Sequence, residues 1–337
     1  MNKLAVTVLC VVLLVPAALA VAQDDEPILL RYKWETGQRL DWEMTGRVTG
    51  RIAMVEGPQA GQTLDINSTF SMGLFTDVLE VAADGSARTR MTFGSMNIQT
   101  TLPNGQLLSM DMDLAAGKVR VVPQQGGQVI EQDLPEALTK LFGAGFVTRV
   151  TNRGEIVEVE GAQELQAMLA KMAGPQANAF NITEAMNWIE PLLPEGPVKT
   201  GDTWVQEKPA LLGLDGAATA AAPFVIQYRH DGYTMLEGVR CVKINSSIEA
   251  SGIEFSTTAA PGALGLSQDV KGMSIRANML NCLSLDDGHL VSLQGQVEQT
   301  GTMHQEGTLT VGDQNVDVNQ TIAFDALTVH LQASRTP

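Results

Sequence analysis

From Leu40 to Met54 the chain alternates with a period of two. Leu40, Trp42, Met44, Gly46, Val48, Gly50, Ile52 and Met54 take the even positions, and Asp41, Glu43, Thr45, Arg47, Thr49 and Arg51 stand between them. Successive side chains of a strand point to opposite faces, so this pattern predicts a strand with one dry face and one wet face. At about 3.3 Å per residue such a strand is about 50 Å long, well beyond the usual five or six residues. A second alternation sets Leu64, Ile66, Phe70, Met72, Leu74 and Val78 against Asp65, Asn67, Thr69, Ser71 and Asp77. A third sets Leu108, Met110, Met112 and Leu114 against Ser109, Asp111 and Asp113. Parallel sheets bury both faces, so a wet face predicts antiparallel pairing.

Turn signals separate these runs. Asp84-Gly85, Asn104-Gly105, Asp231-Gly232 and Asp287-Gly288 are dipeptides that accept positive φ in a tight hairpin, and Asn152-Arg153-Gly154 divides Phe146–Val150 from Ile156–Glu160. Helical spacing is confined to the middle. It covers Glu164–Met172, with Leu165, Met168, Leu169 and Met172, then Thr183–Ile189, and a short stretch at Pro135–Phe142. The expected fold is mainly β: long antiparallel meander sheets forming one or two open half-barrels, with a short helical segment between the halves. Residues 23–160 form the N-terminal half, 161–196 the connector and 197–337 the C-terminal half. A Thr-Gly pair shortly before a tryptophan opens each half, Thr36-Gly37 before Trp42 and Thr200-Gly201 before Trp204, which is a weak internal repeat.

Residues 1–22 read as a signal peptide. Lys3 precedes the apolar run Leu4–Val15, and Ala18-Leu19-Ala20 and Ala20-Val21-Ala22 are small-residue cleavage sites. The run is short of the roughly 20 residues that span a bilayer. Cys10 follows the bulky Leu9 and does not fit a lipidation site. The mature chain is therefore expected to be exported, periplasmic or extracellular, and not an integral membrane protein. Lys and Arg number 22 against 38 Asp and Glu, a formal charge of −16 that excludes nucleic acid as the main partner. Cys241 and Cys282 remain after cleavage. They are a disulfide candidate in an oxidising compartment, with two buried free thiols as the alternative.

Three stretches carry a resemblance. Leu30-Arg31-Tyr32-Lys33-Trp34 with Gly37, Leu79-Glu80-Val81 with Asp84-Gly85-Ser86, and Leu193-Pro194 with Pro197-Val198 and Gly201-Asp202-Thr203-Trp204 resemble an uncharacterised family of exported bacterial β-rich proteins. The architecture is similar to the open half-barrels of the LolA-like lipoprotein-carrier superfamily. That likeness implies a carrier fold, and fold does not imply function.

No catalytic motif stands out. Gly-x-Ser-x-Gly, Ser-x-x-Lys, His-Glu-x-x-His and the phosphate-binding loop are missing from the sequence. The four histidines, His230, His289, His304 and His330, are isolated, and His230 and His289 read as solvated residues beside Asp-Gly turns. Asp313, Asn315 and Asp317 have calcium-loop spacing. Val318 and Phe324 occupy the positions that need Gly and Glu, so a strand fits better and no metal or cofactor is expected. Asn67, Asn181, Asn245 and Asn319 head glycosylation sequons and are taken as ordinary polar positions.

What remains is the dry face, rich in methionine, a flexible residue that adapts to varied apolar partners. As a ligand surface it comprises Leu40, Trp42, Met44, Phe70, Met72, Leu74, Met110 and Met112. The alternative is a plain core. The expected function is accordingly non-enzymatic: an exported protein that binds or carries an apolar ligand such as a lipid, or alternatively an envelope scaffold that contacts other envelope proteins, with a hydrolase ranked third. Small-residue loops at Pro209–Pro223 and Thr257–Ser267 would form a rim.

Overall fold

The computed structural model describes residues 26–58, 60–101, 105, 107–114, 116–123, 129–134, 139, 143, 145–163, 191–208, 224–257, 266–311 and 314–336. The segment expected to be a signal peptide, with Cys10, the helices expected at 164–172 and 183–189, nearly all of 135–142, Asn181, Asp313, loop 209–223 and most of loop 257–267 lie outside these residues.

Among the described residues fourteen strands follow one another: β1 (Arg39–Glu56), β2 (Thr63–Val81), β3 (Ala87–Thr101), β4 (Leu107–Asp113), β5 (Lys118–Pro123), β6 (Ile130–Asp133), β7 (Phe146–Val150), β8 (Ile156–Val159), β9 (Thr203–Lys208), β10 (Phe224–Leu236), β11 (Val239–Thr257), β12 (Leu266–Ser284), β13 (Leu290–Val311) and β14 (Gln314–Arg335). They form a single antiparallel sheet in the order β6-β5-β4-β3-β2-β1-β14-β13-β12-β11-β10-β9, with β7 on β3 and β8 on β7. Each strand-rich stretch supplies a six-strand meander, and the two meet where the first strand pairs with the last, Met44 opposite Ala333 and Val48 opposite Val329. The sheet does not close into a barrel.

Strand β3 branches the sheet. Its first half, Ala87–Met91, pairs with β7, whereas Ser95–Thr101 pairs with β4. At the β7 end the order is β8-β7-β3-β2-β1-β14-β13-β12-β11-β10-β9. From β7 to β9 this makes nine interstrand steps, about 43 Å if the sheet were flat. Two adjacent residues bridge that span. Leu193 donates its N–H to the Arg153 carbonyl in the β7–β8 turn, while the Leu192 carbonyl accepts Trp204 Nε1–H from β9 at 2.7 Å. This end of the sheet must therefore curl into a partial ring.

Residues 26–35 and 191–198 fill the ring. Ile28 and Val198 exchange backbone hydrogen bonds, Tyr32 N–H reaches the Asn152 carbonyl and Lys33 N–H the Asp287 carbonyl. Leu30, Tyr32, Trp34 and Leu193 join Leu40, Val78, Ala87, Val150, Ile226, Val242, Ile244, Leu283 and Leu290 in one buried cluster. That cluster lies on the dry face, so the dry face is the inside of the curl.

Four expectations change. Asp231-Gly232 is not a hairpin turn. The ladder of β10 with β11 slips between His230 and Tyr233, which makes the pair a bulge, and the chain reverses at Glu237-Gly238, both at positive φ. His230 is not solvated: it is 0 % exposed and set edge-on against Tyr233, with neither ring nitrogen partnered among the described residues. His289 is 1 % exposed, 4.7 Å from the Trp34 ring, and its Nε2 meets Gln38 Oε1 at 3.1 Å. His289 is covered because its turn sits under Tyr32 and Trp34, and His230 lies against Tyr233 of its own strand. Finally, Cys241 and Cys282 are buried free thiols. Cys241 faces Ser284 and Cys282 faces Lys243, so the two are diagonal neighbours. Such Cα atoms lie about 7–8 Å apart, beyond the usual 4.4–6.8 Å of a disulfide. Burial, with the neighbouring Cys282, pushes the Cys241 thiol up to about 11.

Two predictions test the plugged ring. Gly288 sits at φ +72°, and a Cβ there would be driven into the Arg31 carbonyl; Gly105, at φ +78°, has open space. Gly288→Ala should cost about 3 kcal/mol or more and Gly105→Ala about 1 kcal/mol, compared by urea denaturation. The second concerns His289, whose pKa burial lowers to about 4. Below about pH 6.5 the unfolded chain takes up a proton that the folded ring refuses, so stability falls from pH 6.5 to about 4 and levels off beneath. His289 should account for about 3 kcal/mol of that loss. The melting temperature should fall less between pH 7.5 and 4.5 in His289→Gln than in wild type.

Candidate functional site

The dry face continues past the plug. Across β1 and β2, Met44 stands opposite Met72, Gly46 opposite Phe70, Val48 opposite Ser68, Gly50 opposite Ile66 and Ile52 opposite Leu64. Met72 and Phe70 face Met96 and Ile98 of β3, which face Met112 and Met110 of β4. On the other side of β1, Gly46, Val48 and Gly50 face Leu331, Val329 and Leu327 of β14. Val297 on β13 and Ala277 on β12 extend the Val329 row.

No side chain at these inward positions carries a charge, in a chain where 18% of residues do. The few polar ones are satisfied on the face itself. Ser68 and Thr100 hydroxyls pair at 2.7 Å, and Gln299 donates to Met273 Sδ at 3.3 Å. The outward positions are the reverse. There Arg47 donates to Asn67, and Arg51 pairs with Asp65 at 3.0 Å. Glycine shapes the inward side: a Cβ at Gly46 would overlap the Phe70 ring, so Gly46 lets that ring lie over β1.

The sequence-based candidates divide into two groups. Leu40 and Leu74 are buried, Leu40 in the main cluster and Leu74 with Met91 and Val159, and Trp42 packs on both clusters. These three are core at the plugged end. Met44, Phe70, Met72, Met110 and Met112 are half-buried and share the open part of the face. Sequence reasoning missed the β14 contribution, Leu327, Val329 and Leu331. Their alternation was visible, but nothing local says that the last strand pairs with the first.

Two surface cavities lie elsewhere. One of about 610 Å³ runs over the outward side of β13, β14, β1, β2 and β3, lined by Arg47, Thr69, Asn97, Gln99, Gln294 and His330 among others; Phe70 is the one candidate that touches it. The second, about 530 Å³, lies over Thr203, Gln227, Arg229, Asn245 and Asn278. Among the described residues no three His, Cys, Asp or Glu side chains are grouped to hold a metal ion. No helix among them is long and apolar enough to cross a membrane.

No family model matches the chain, and no curated protein matches it either. Among solved structures it is similar to lipovitellin, with 8% identity over 90% of this chain and a TM-score of 0.38; the chain spans a quarter of the lipovitellin length. An outer membrane channel from Pseudomonas putida F1 matches with 8% identity over 90% of this chain and 97% of that one, at a TM-score of 0.20. The beta domain of a Bordetella autotransporter matches with 9% identity over 90% of this chain and all of that one, at 0.22. At these scores we attach no functional meaning to the likenesses.

Proposed function

We propose that this chain is an exported, non-enzymatic protein that holds an apolar ligand such as a lipid against the inner face of its open sheet. The observation that carries this reading is the uncharged inward face, continued well beyond the residues that plug the ring. A core needs a second layer to bury it. Among the described residues Tyr32, Trp34 and Leu193 supply that layer at the plugged end, and a separate buried cluster of Phe224, Ile253, Val270 and Met273 lies on β10 to β12. Further along, Met44, Met72, Met96 and Met112 form a row across four strands and stay half-buried. Methionine suits such a surface because its unbranched, polarisable side chain adjusts to partners of varied shape.

Met72→Asp separates a ligand surface from a sealed core. On a surface open to ligand the carboxylate stays hydrated. The variant should then keep its fold, with a melting temperature within a few degrees of wild type, and lose binding of the fluorescent fatty acid cis-parinaric acid. In a sealed core the same change buries an unpaired charge and costs several kcal/mol of a margin of roughly 5–15 kcal/mol. Collapse of the fold, with no probe bound by the wild type, would overturn the proposal.

A further inference from the structure

We infer that the outward groove across β13, β14, β1, β2 and β3 binds an acidic oligosaccharide, with a sugar carboxylate on Arg47 and sugar hydroxyls on the flanking strands. The groove lies on the opposite face of the sheet from the apolar surface, so this site is independent of the reading above.

Arg47 is placed unlike the arginines of the other ladders that stand across from a carboxylate. Arg51 faces Asp65 at 3.0 Å, Arg120 faces Glu131 at 3.6 Å, Arg149 faces Glu158 at 3.4 Å and Arg276 faces Glu249 at 2.7 Å. Arg47 instead faces His330 on β14 and Thr69 on β2, and its diagonal neighbours Asn67, Ser71, Thr328 and Gln332 carry no charge. Its Nε–H and Nη2–H donate to Asn67 Oδ1 at 3.3 and 3.2 Å, a neutral acceptor, and Nη1 has no partner among the described residues. Among the described residues that line the groove, Arg47 carries the only fixed charge. Carboxylates at the two flanks are held by amides: Asp111 accepts from Asn97, and Glu298 accepts from Gln296 at 2.7 Å. A guanidinium with an open edge and no local counter-ion matches a planar carboxylate.

The rest of the lining suits hydroxyl groups. Thr45, Ser71, Gln99, Gln294 and Gln332 each offer a donor and an acceptor, and their side chains make no hydrogen bond among the described residues. Sugar hydroxyls likewise donate and accept. An extended peptide would add to a sheet edge, but all five strands here are paired on both sides. A polyanion is disfavoured by a formal charge of −16 around a single guanidinium. The groove holds about 610 Å³, within the roughly 300–1,000 Å³ of small-molecule sites. From β13 to β3 it crosses four interstrand steps, about 19 Å. A lone ion or a single sugar ring fills a part of that length, and a chain of a few rings spans it.

The test is titration calorimetry of the full chain with the uronic acid trimers of galacturonate, mannuronate and guluronate, their neutral methyl esters, and inorganic phosphate. Saturable binding of at least one acid trimer is expected, at least tenfold tighter than its ester. Arg47→Gln should weaken that trimer at least tenfold, to the level of the ester, with the melting temperature unchanged. Gln99→Ala and Gln332→Ala should weaken acid and ester alike. Arg51→Gln, on the same face outside the groove, should bind as wild type does. Any of four results overturns the site: no acid trimer bound by the wild type, acid and ester bound equally, binding undiminished in Arg47→Gln, or phosphate bound as tightly as the trimer.

Discussion

Two neighbouring backbone amides hold this fold in shape. Tyr32 N–H bonds to the β7–β8 turn and Lys33 N–H to the β12–β13 turn. In a flat sheet β7 and β13 would lie five interstrand steps, or about 24 Å, apart. A sheet with one apolar face has to cover it, and for so many strands the shortest cover is the sheet's own curvature around a small plug. Arg31, Tyr32 and Lys33 fasten the plug with side chains as well. Arg31 Nη1–H donates to the Pro194 carbonyl at 2.7 Å, Tyr32 O–H to Pro191 at 3.1 Å and Lys33 Nζ to Asp286 at 2.7 Å. Inside this clamp lie the buried His289 imidazole and the stacked rings of Tyr32 and Trp34.

The division of labour along the strands follows from where the clamp ends. Near it, the inner face is a core of the ordinary kind, with Val78, Val242, Ile244 and Leu283 at most 2 % exposed. Beyond it, the same strands continue with the same alternation: Phe224, Ile253, Val270 and Met273 are again buried on β10 to β12, whereas the inward residues of β1 to β4 are half-buried. Long strands thus do two jobs. One half of each supplies stability, and the other half supplies surface.

Much of this was legible in the chain. Period-two alternation places β1, β2 and β4 to within a few residues, because the side-chain period of a strand is fixed by its backbone. Four of the turn signals work as read, since Gly85, Gly105, Gly154 and Gly288 all take positive φ between strands. Asp231-Gly232 misleads because a bulge and a turn ask the same thing of glycine, and only the partner strand decides between them. His289 misleads because its burial depends on Tyr32 and Trp34, remote in sequence, and His230 because it packs edge-on against Tyr233. For the candidate site, alternation identifies the face and is silent on where its covered part stops. Leu40, Trp42 and Leu74 look the same as Met44, Phe70 and Met72 until the plug is in place.

The pairing of β1 with β14 has a consequence for how the chain reaches this state. The centre of the sheet joins residues nearly the whole chain apart, so its ladder is the most non-local contact in the molecule. Closing such a contact is entropically slow, and nothing before it can complete the sheet. Until Arg335 has been made, each meander carries an unpaired central strand and an uncovered apolar side, which is the state most prone to pair with the wrong neighbour. The β14 residues therefore control the timing of folding as much as its outcome.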